Sequence, residues 1–173
     1  MALCLGWVPY SPSLTPMRRS ERAITRRADI LRVLDSCGVM HLGLSKDGRP
    51  YVVPLNFGWE EAEGRLLIYF HGALSGKKQT WIAQGAECFA AFTGDNAVTR
   101  GPDACDWSAA YACVMVSGFV QPLDDEAGKL HGLDLIMRHS GYIGLPQYST
   151  ALLQATRVWV IKAQEVTGKR RQA

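Results

Sequence analysis

The sequence predicts a mainly β protein with some α, built as a six-stranded antiparallel barrel with peripheral helices. Three observations predict it. Short apolar runs of strand length recur along the chain, rich in β-branched and aromatic residues. Most are joined by short polar turns containing glycine, such as Lys46-Asp47-Gly48-Arg49. The helical stretches are few and do not alternate regularly with the strands, as a doubly wound parallel sheet requires.

Taken in order, Thr25 to Gly38 reads as a helix, with Thr25 as its cap, Ile30, Leu31, Leu34 and Cys37 at helical spacing, and Gly38 as a left-handed exit. Val39 to Ser45 alternates and pairs as a hairpin with Tyr51 to Trp59, inside which Pro54 demands an edge, a bulge or a ligand-facing position. Leu66 to His71 is a third strand, expected to run beside Pro50 to Trp59. Ser75 to Gln84 forms a short helix closed by Gly85, Cys88 to Phe92 a fourth strand, and Thr93 to Trp107 a long polar loop. Tyr111 to Val120 is the longest strand. Asp124 to His139 places Leu130, Leu133, Ile136 and Met137 on one helical face, and Thr156 to Val166 is the last strand. So small a barrel fills its interior with side chains, which pushes a ligand to the surface or to a seam between two copies.

Composition bounds the function. At 173 residues, 47% hydrophobic and 20% charged, the chain reads as one globular domain over residues 17–173. It is preceded by a flexible tail, residues 1–16, punctuated by Pro9, Pro12 and Pro16, and Met17 is a candidate natural start. Nineteen Lys plus Arg against sixteen Asp plus Glu leave +3, too small an excess to expect nucleic acid. No apolar run approaches the roughly 18–20 residues that cross a bilayer, so no membrane partner is expected. Cys4, Cys37, Cys88, Cys105 and Cys113 form no Cys-x-x-Cys pair and read as reduced thiols of a cytoplasmic protein.

Chemistry concentrates between Tyr69 and Lys78, where a strand empties into a helix start carrying Gly72, Ser75, Gly76, Lys77 and Lys78. Free amides at a helix start attract anions, Gly76 allows close approach, Ser75 can cap or donate, and the two ammonium groups, unfavourable against the helix dipole, suit a phosphate. A solvated helix start with lysines serving solubility accounts for the same pattern as well. The spacing does not fit a nucleoside-triphosphate loop, because Lys78 stands where that motif needs Ser or Thr. Near Pro54, an interrupted strand leaves backbone groups for a planar heterocycle, with Asn56 offering a donor and an acceptor, although a bulge that merely bends the barrel explains it too. His71, at the strand end, can hydrogen-bond or exchange a proton near neutral pH. His41, His131 and His139 lack partners at metal-ligand spacing, so no metal is expected, and no Gly-x-Ser-x-Gly elbow supports a hydrolase.

The ordered set Met17-Arg-Arg-Ser-Glu-Arg-Ala-Ile, Cys37-Gly-Val-Met-His-Leu-Gly-Leu, Gly48-Arg-Pro-Tyr-Val-Val-Pro-Leu-Asn-Phe-Gly-Trp, Ile68-Tyr-Phe-His-Gly-Ala and Gly76-Lys-Lys carries a resemblance. It continues through Ala104-Cys-Asp-Trp, Val158-Trp-Val-Ile and Glu165-Val-Thr-Gly-Lys169. The chain resembles the pyridoxamine 5′-phosphate oxidase-like family of FMN-binding split barrels, in the branch of nitroimidazole-resistance proteins. That resemblance implies a split-barrel homodimer with FMN at the dimer seam. It implies that Ser75, Lys77 and Lys78 serve the phosphate, that Val53, Pro54, Leu55 and Asn56 line the ring edge, and that Tyr69 and His71 flank the ring or ribityl chain. His71 is then nearest the reacting ligand, and a partner chain could add Trp107, Tyr111 or Trp159. The implied activity is an FMN-dependent oxidoreductase passing electrons from NAD(P)H to a small planar acceptor such as a nitroaromatic. The alternative is a non-catalytic flavin or redox-sensing protein, or a haem binder using His71 or His41.

Overall fold

The structure is a computed structural model that describes residues 17–172; the expected tail over residues 1–16, with Cys4, lies outside the described residues. In chain order the elements are β1 (Ala23–Ile24), α1 (Arg27–Ser36), β2 (Met40–Lys46), β3 (Arg49–Leu55), β4 (Gly58–Ala62), β5 (Arg65–Ala73) and α2 (Lys77–Trp81). They continue with β6 (Ala86–Thr99), β7 (Ser108–Leu123), α3 (Glu126–His139), α4 (Thr150–Ala155) and β8 (Thr156–Arg171). All strands join one antiparallel sheet in the order β3-β2-β6-β7-β8-β5-β4, with β1 added to β8. The sheet rolls without closing. Its two ends, β3 and β4, are consecutive in the chain and linked through Asn56 and Phe57, so the molecule is an antiparallel split barrel whose seam starts at that link.

The expected six strands become eight among the described residues for two local reasons. The run from Tyr51 to Trp59 breaks at Asn56. Its first half, β3, pairs only with β2, and its second half, β4, pairs with β5. The expectation that Pro54 would lie beside Leu66 to His71 is therefore corrected, because Pro54 sits on the opposite edge, across from His41. The other addition is β1, two residues long. The link itself is anchored: Phe57 is fully buried, edge-on to Phe92 at 4.8 Å, and Gly58 runs so close to α3 that no Cβ fits.

Period-two alternation builds the core. Met40, Leu42 and Leu44 of β2, Cys88, Ala90 and Phe92 of β6, and Val114 and Val116 of β7 face inward as one cluster with Phe70, Trp159 and Ile161. Asp47 and Gly48 both take positive φ, as do Glu63 and Gly64, which matches tight two-residue hairpin turns to the strand twist. Ile30, Val33 and Leu34 drive α1 into this core. Its expected ends are corrected: Arg26, not Thr25, is the N-cap, and Cys37 ends the helix with extended backbone, leaving Gly38 outside the left-handed region. The carbonyls there are met from elsewhere, Cys37 O by His139 Nε2 at 2.7 Å and Gly38 O by Asn56 Nδ2 at 3.2 Å.

The first part of the expected loop from Thr93 to Trp107 is strand, because β6 continues to Thr99 past a register shift between Gly94 and Ala97. On the outer face α3, capped by Asp125 accepting from Gly128 N, covers β4 and β5, where Tyr69, Leu135, Ile136 and Val160 form a second apolar cluster. Among the described residues no helix is long and apolar enough to cross a membrane.

Candidate functional site

Gly76 takes φ +116, a conformation open to glycine, and from it the chain turns out of β5 into α2. No side chain caps that start, so Ser75 does not play the capping part foreseen for it. The two lysines that follow diverge to opposite sides of the barrel seam. Lys77 Nζ lies 4.6 Å from the Tyr51 ring of β3 and 5.0 Å from the Trp81 ring, and those rings meet edge-on at 5.4 Å. Lys78 Nζ donates to His71 O at 3.0 Å and lies 5.0 Å from Trp159 and 5.4 Å from Phe70, which stack at 5.3 Å. Thus α2 reaches from β3 on one side to β5 and β8 on the other, with one cation against each.

Both cations rest on aromatic faces, an attraction worth about 0.5–2 kcal/mol according to solvent exposure. Gly72 makes the Lys78 position possible, since a Cβ there would meet Nζ. Burial lowers the Lys78 pKa, and burial, followed by the Lys78 charge, lowers that of His71. A half-buried ammonium beside a reluctant imidazole is poised for an anion, which would relieve both. Nearby, Trp159 Nε1, Arg157 Nε and Gln79 Oε1 are buried without a hydrogen-bond partner. Arg157 pairs in register with Gly72, and its other nitrogen, Nη1, donates to Asp124 Oδ1 at 2.5 Å. Apart from the Gln79 oxygen, which is itself an acceptor, the unpartnered atoms here are donors, and with Lys78 and Arg157 the corner is basic enough to suit a phosphate ester.

A family model described as pyridoxamine 5′-phosphate oxidase matches residues 26–170. The chain belongs to the pyridoxamine 5′-phosphate oxidase family. No curated protein matches it. Among solved structures it is similar to a "putative 5-nitroimidazole antibiotic resistance protein" from Bacteroides thetaiotaomicron, at 26% identity and TM-score 0.74 over 86% of each chain. The flavocytochrome Anf3 from Azotobacter vinelandii is similar at 22% identity and TM-score 0.76, over 95% of this chain and 77% of that one. A FAD and heme binding protein from Mycobacterium smegmatis is similar at 19% identity and TM-score 0.72, over 88% of this chain and 74% of that one. At these last two identities the likeness is one of fold.

In this oxidase-family chain the other expected site residues are placed as follows. Val53 and Leu55 pack inward against the core, whereas Pro54 is exposed on the outer face. Asn56 is exposed, and its amide donor is engaged by Gly38. Tyr69 is buried beneath α3, and its hydroxyl donates to Glu60 Oε1 at 2.7 Å. His71, two residues on, keeps part of its surface in solvent while its ring is partly desolvated. Lys78 is therefore brought to His71, while Lys77 turns to Tyr51 and Trp81; Ser75 precedes them at the turn into α2, and Asn56 and the Tyr69 hydroxyl are engaged elsewhere. Of the residues offered to a partner, Trp159 is fully buried in its own barrel, while Trp107 is exposed and donates to Gly101 O at 3.0 Å. Sequence reasoning missed Tyr51, Trp81 and Arg157. A charged residue opening the apolar run Thr156 to Ile161 was the available signal for Arg157.

Proposed function

We propose that this protein is an FMN-dependent oxidoreductase that passes electrons from NAD(P)H to a small planar acceptor such as a nitroaromatic. The observation that carries the reading is the corner at α2, where an uncapped helix start, Ser75 and the cations of Lys77 and Lys78 bridge the barrel seam. Family membership and the nitroimidazole-resistance neighbour support it. Lys77 and Lys78 hold the phosphate, Ser75 donates to it, and the partly exposed imidazole of His71 stands where a ligand extending from that phosphate over β5 would pass. When bound, FMN supplies the hydride and electron transfer; the protein supplies charge, orientation and a dry wall. A homodimer would supply the remaining wall from the second copy.

Absorbance of the purified protein after mixing with FMN tests the reading. Flavin absorbance retained through gel filtration, followed by bleaching with NADH or NADPH and recovery with a nitroimidazole, is the expected result. Protein that stays colourless and shows no thermal shift with FMN overturns it. Flavin that binds but does not turn over leaves the storage or sensing role, and a Soret band after haem addition would redirect the assignment.

A further inference from the structure

Gly72 of β5 and Arg157 of β8 stand directly opposite each other, so their side-chain directions share one face of the sheet. Phe70 and Trp159, two residues along each strand, lie on that same face. Lys78 is there too: its Nζ lies 2.5 Å from where a Gly72 Cβ would be and 5.0 Å from the Trp159 ring. Cβ atoms of directly opposed residues are about 4.5–5.5 Å apart, which brings the ammonium within about 8 Å of the Arg157 Cβ. Lys78 thus fills the cross-strand place that Gly72 leaves open, as a like-charged neighbour of Arg157.

The two cations are incompletely met. Among the described residues Lys78 makes no ion pair, and it donates to a backbone oxygen, His71 O. Arg157 Nη1 donates to Asp124 Oδ1 at 2.5 Å, but its Nε is buried without a partner among those residues, and the side chain as a whole is only 27% exposed. Asp124 holds it loosely. Its side chain is 77% exposed, and the N-cap of α3 is the next residue, Asp125, which accepts from Gly128 N, so helix capping does not depend on Asp124. An ion pair whose acid stands in water is worth little. A guanidinium presents five donors in a planar fork that fits phosphate oxygens two at a time, so a phosphate dianion beside Lys78 is the stronger partner for it.

We propose that Arg157 is a third phosphate-binding cation of the α2 corner, and that Asp124 holds its guanidinium until the phosphate takes the place of that carboxylate. This rests on the reading of the protein as an FMN binder. Fluorescence titrations of the full chain with FMN and with riboflavin, which lacks the phosphate, test it. The parent should bind FMN more tightly than riboflavin. Arg157→Gln should weaken FMN about tenfold and leave riboflavin unchanged, whereas Arg157→Lys, which keeps the charge, should recover part of the loss. Asp124→Asn should do the opposite and tighten FMN about two- to fivefold, with riboflavin again unchanged. Added to Arg157→Gln, the Asp124 substitution should have no effect on FMN. A pair that only supports the fold would lower Tm in both variants and shift the two ligands alike. Should Arg157→Gln not fold, Asp124→Asn, at an exposed position, decides alone. FMN affinity that stays put in these variants, or moves together with that of riboflavin, overturns the proposal and leaves the phosphate to Lys77 and Lys78. A parent that holds FMN no more tightly than riboflavin overturns it as well. A parent that binds neither flavin overturns the functional reading, and this inference with it.

Discussion

Gly72 leaves the space that the Lys78 side chain fills: a Cβ built there would stand 2.5 Å from Nζ, 2.9 Å from Cε and 3.3 Å from Trp159 Cζ3. The two closest atoms are the free end of a flexible chain, so Gly72→Ala expels the ammonium and leaves the backbone alone. The expected outcome is FMN binding weakened about tenfold, the worth of one charge-assisted contact, with the urea midpoint nearly unchanged. Flavin fluorescence quenching and denaturation measure the two. The same ammonium disfavours a charged His71, second to burial, so His71 should titrate below the ordinary histidine value. Lys78→Met, which keeps the packing on Phe70 and Trp159, should move that titration upward; an unmoved imidazole resonance in NMR would contradict the coupling. At this scale the sequence showed the cations, because Gly76-Lys77-Lys78 is contiguous. It concealed the rings beneath them, because Tyr51, Phe70 and Trp159 come from three strands and reach the corner only when the sheet rolls.

Across β4, β5 and α3, Glu60 accepts from Tyr69 Oη at 2.7 Å and bonds His131 Nε2 at 2.9 Å. Burial works to raise the Glu60 pKa, but the hydrogen bonds from His131 and Tyr69, and then the charges of His131 and Arg138, outweigh it and hold the group below the usual carboxylate range. A carboxylate depressed in the folded state stabilises the fold above its unfolded pKa, and that stability is lost as pH falls through the folded pKa. Tyr69→Phe removes one hydrogen bond to the charged form. It should cost about 1–2 kcal/mol at neutral pH and shift the acid limb of the stability profile to higher pH, as read from urea midpoints. A limb left in place would show that Tyr69 does not set the Glu60 titration. Gly58→Ala tests the neighbouring contact. A Cβ there overlaps the α3 backbone at Leu135 and Ile136, which cannot swing aside, so a loss of about 2–3 kcal/mol in denaturant unfolding is expected. Element types were legible wherever apolar period and turn chemistry agreed, as in β2, β5, β7 and α3. Boundaries failed where tertiary contacts decide: His139 and Asn56 serve the end of α1 from distant positions, and Pro54 signalled an interruption without showing that the chain there passes from one edge of the sheet to the other.

Among the described residues, the outer face of the sheet is divided between a half that α3 covers and one that no helix covers. Over β4 and β5 it lies under α3, while over β3, β2, β6 and β7 it carries Val52, Phe89 and Phe119, which are 62%, 48% and 38% exposed. Register places these side chains together: Val52 and Phe89 both pair with Gly43, and Phe119 stands diagonal to Phe89 on the neighbouring strand. Gly43 offers no side chain between them, so the patch is flat and continuous. A contiguous apolar patch of this kind is costly in water, and a two-fold axis through it would bury the same residues of both copies at once. A stable interface needs about 800 Å² per partner, more than three side chains supply, so the surrounding strands must contribute. We expect the chain to sediment at twice its 19.0 kDa mass. Phe89→Asp places a charge at the centre of the patch and should give a folded monomer with unchanged far-ultraviolet circular dichroism. If the second copy supplies a wall of the flavin site, that monomer should also lose FMN although Lys77 and Lys78 are intact. A Phe89→Asp chain that remains dimeric would place the interface on another face, and a monomer that keeps full FMN affinity would show that each barrel holds its flavin alone.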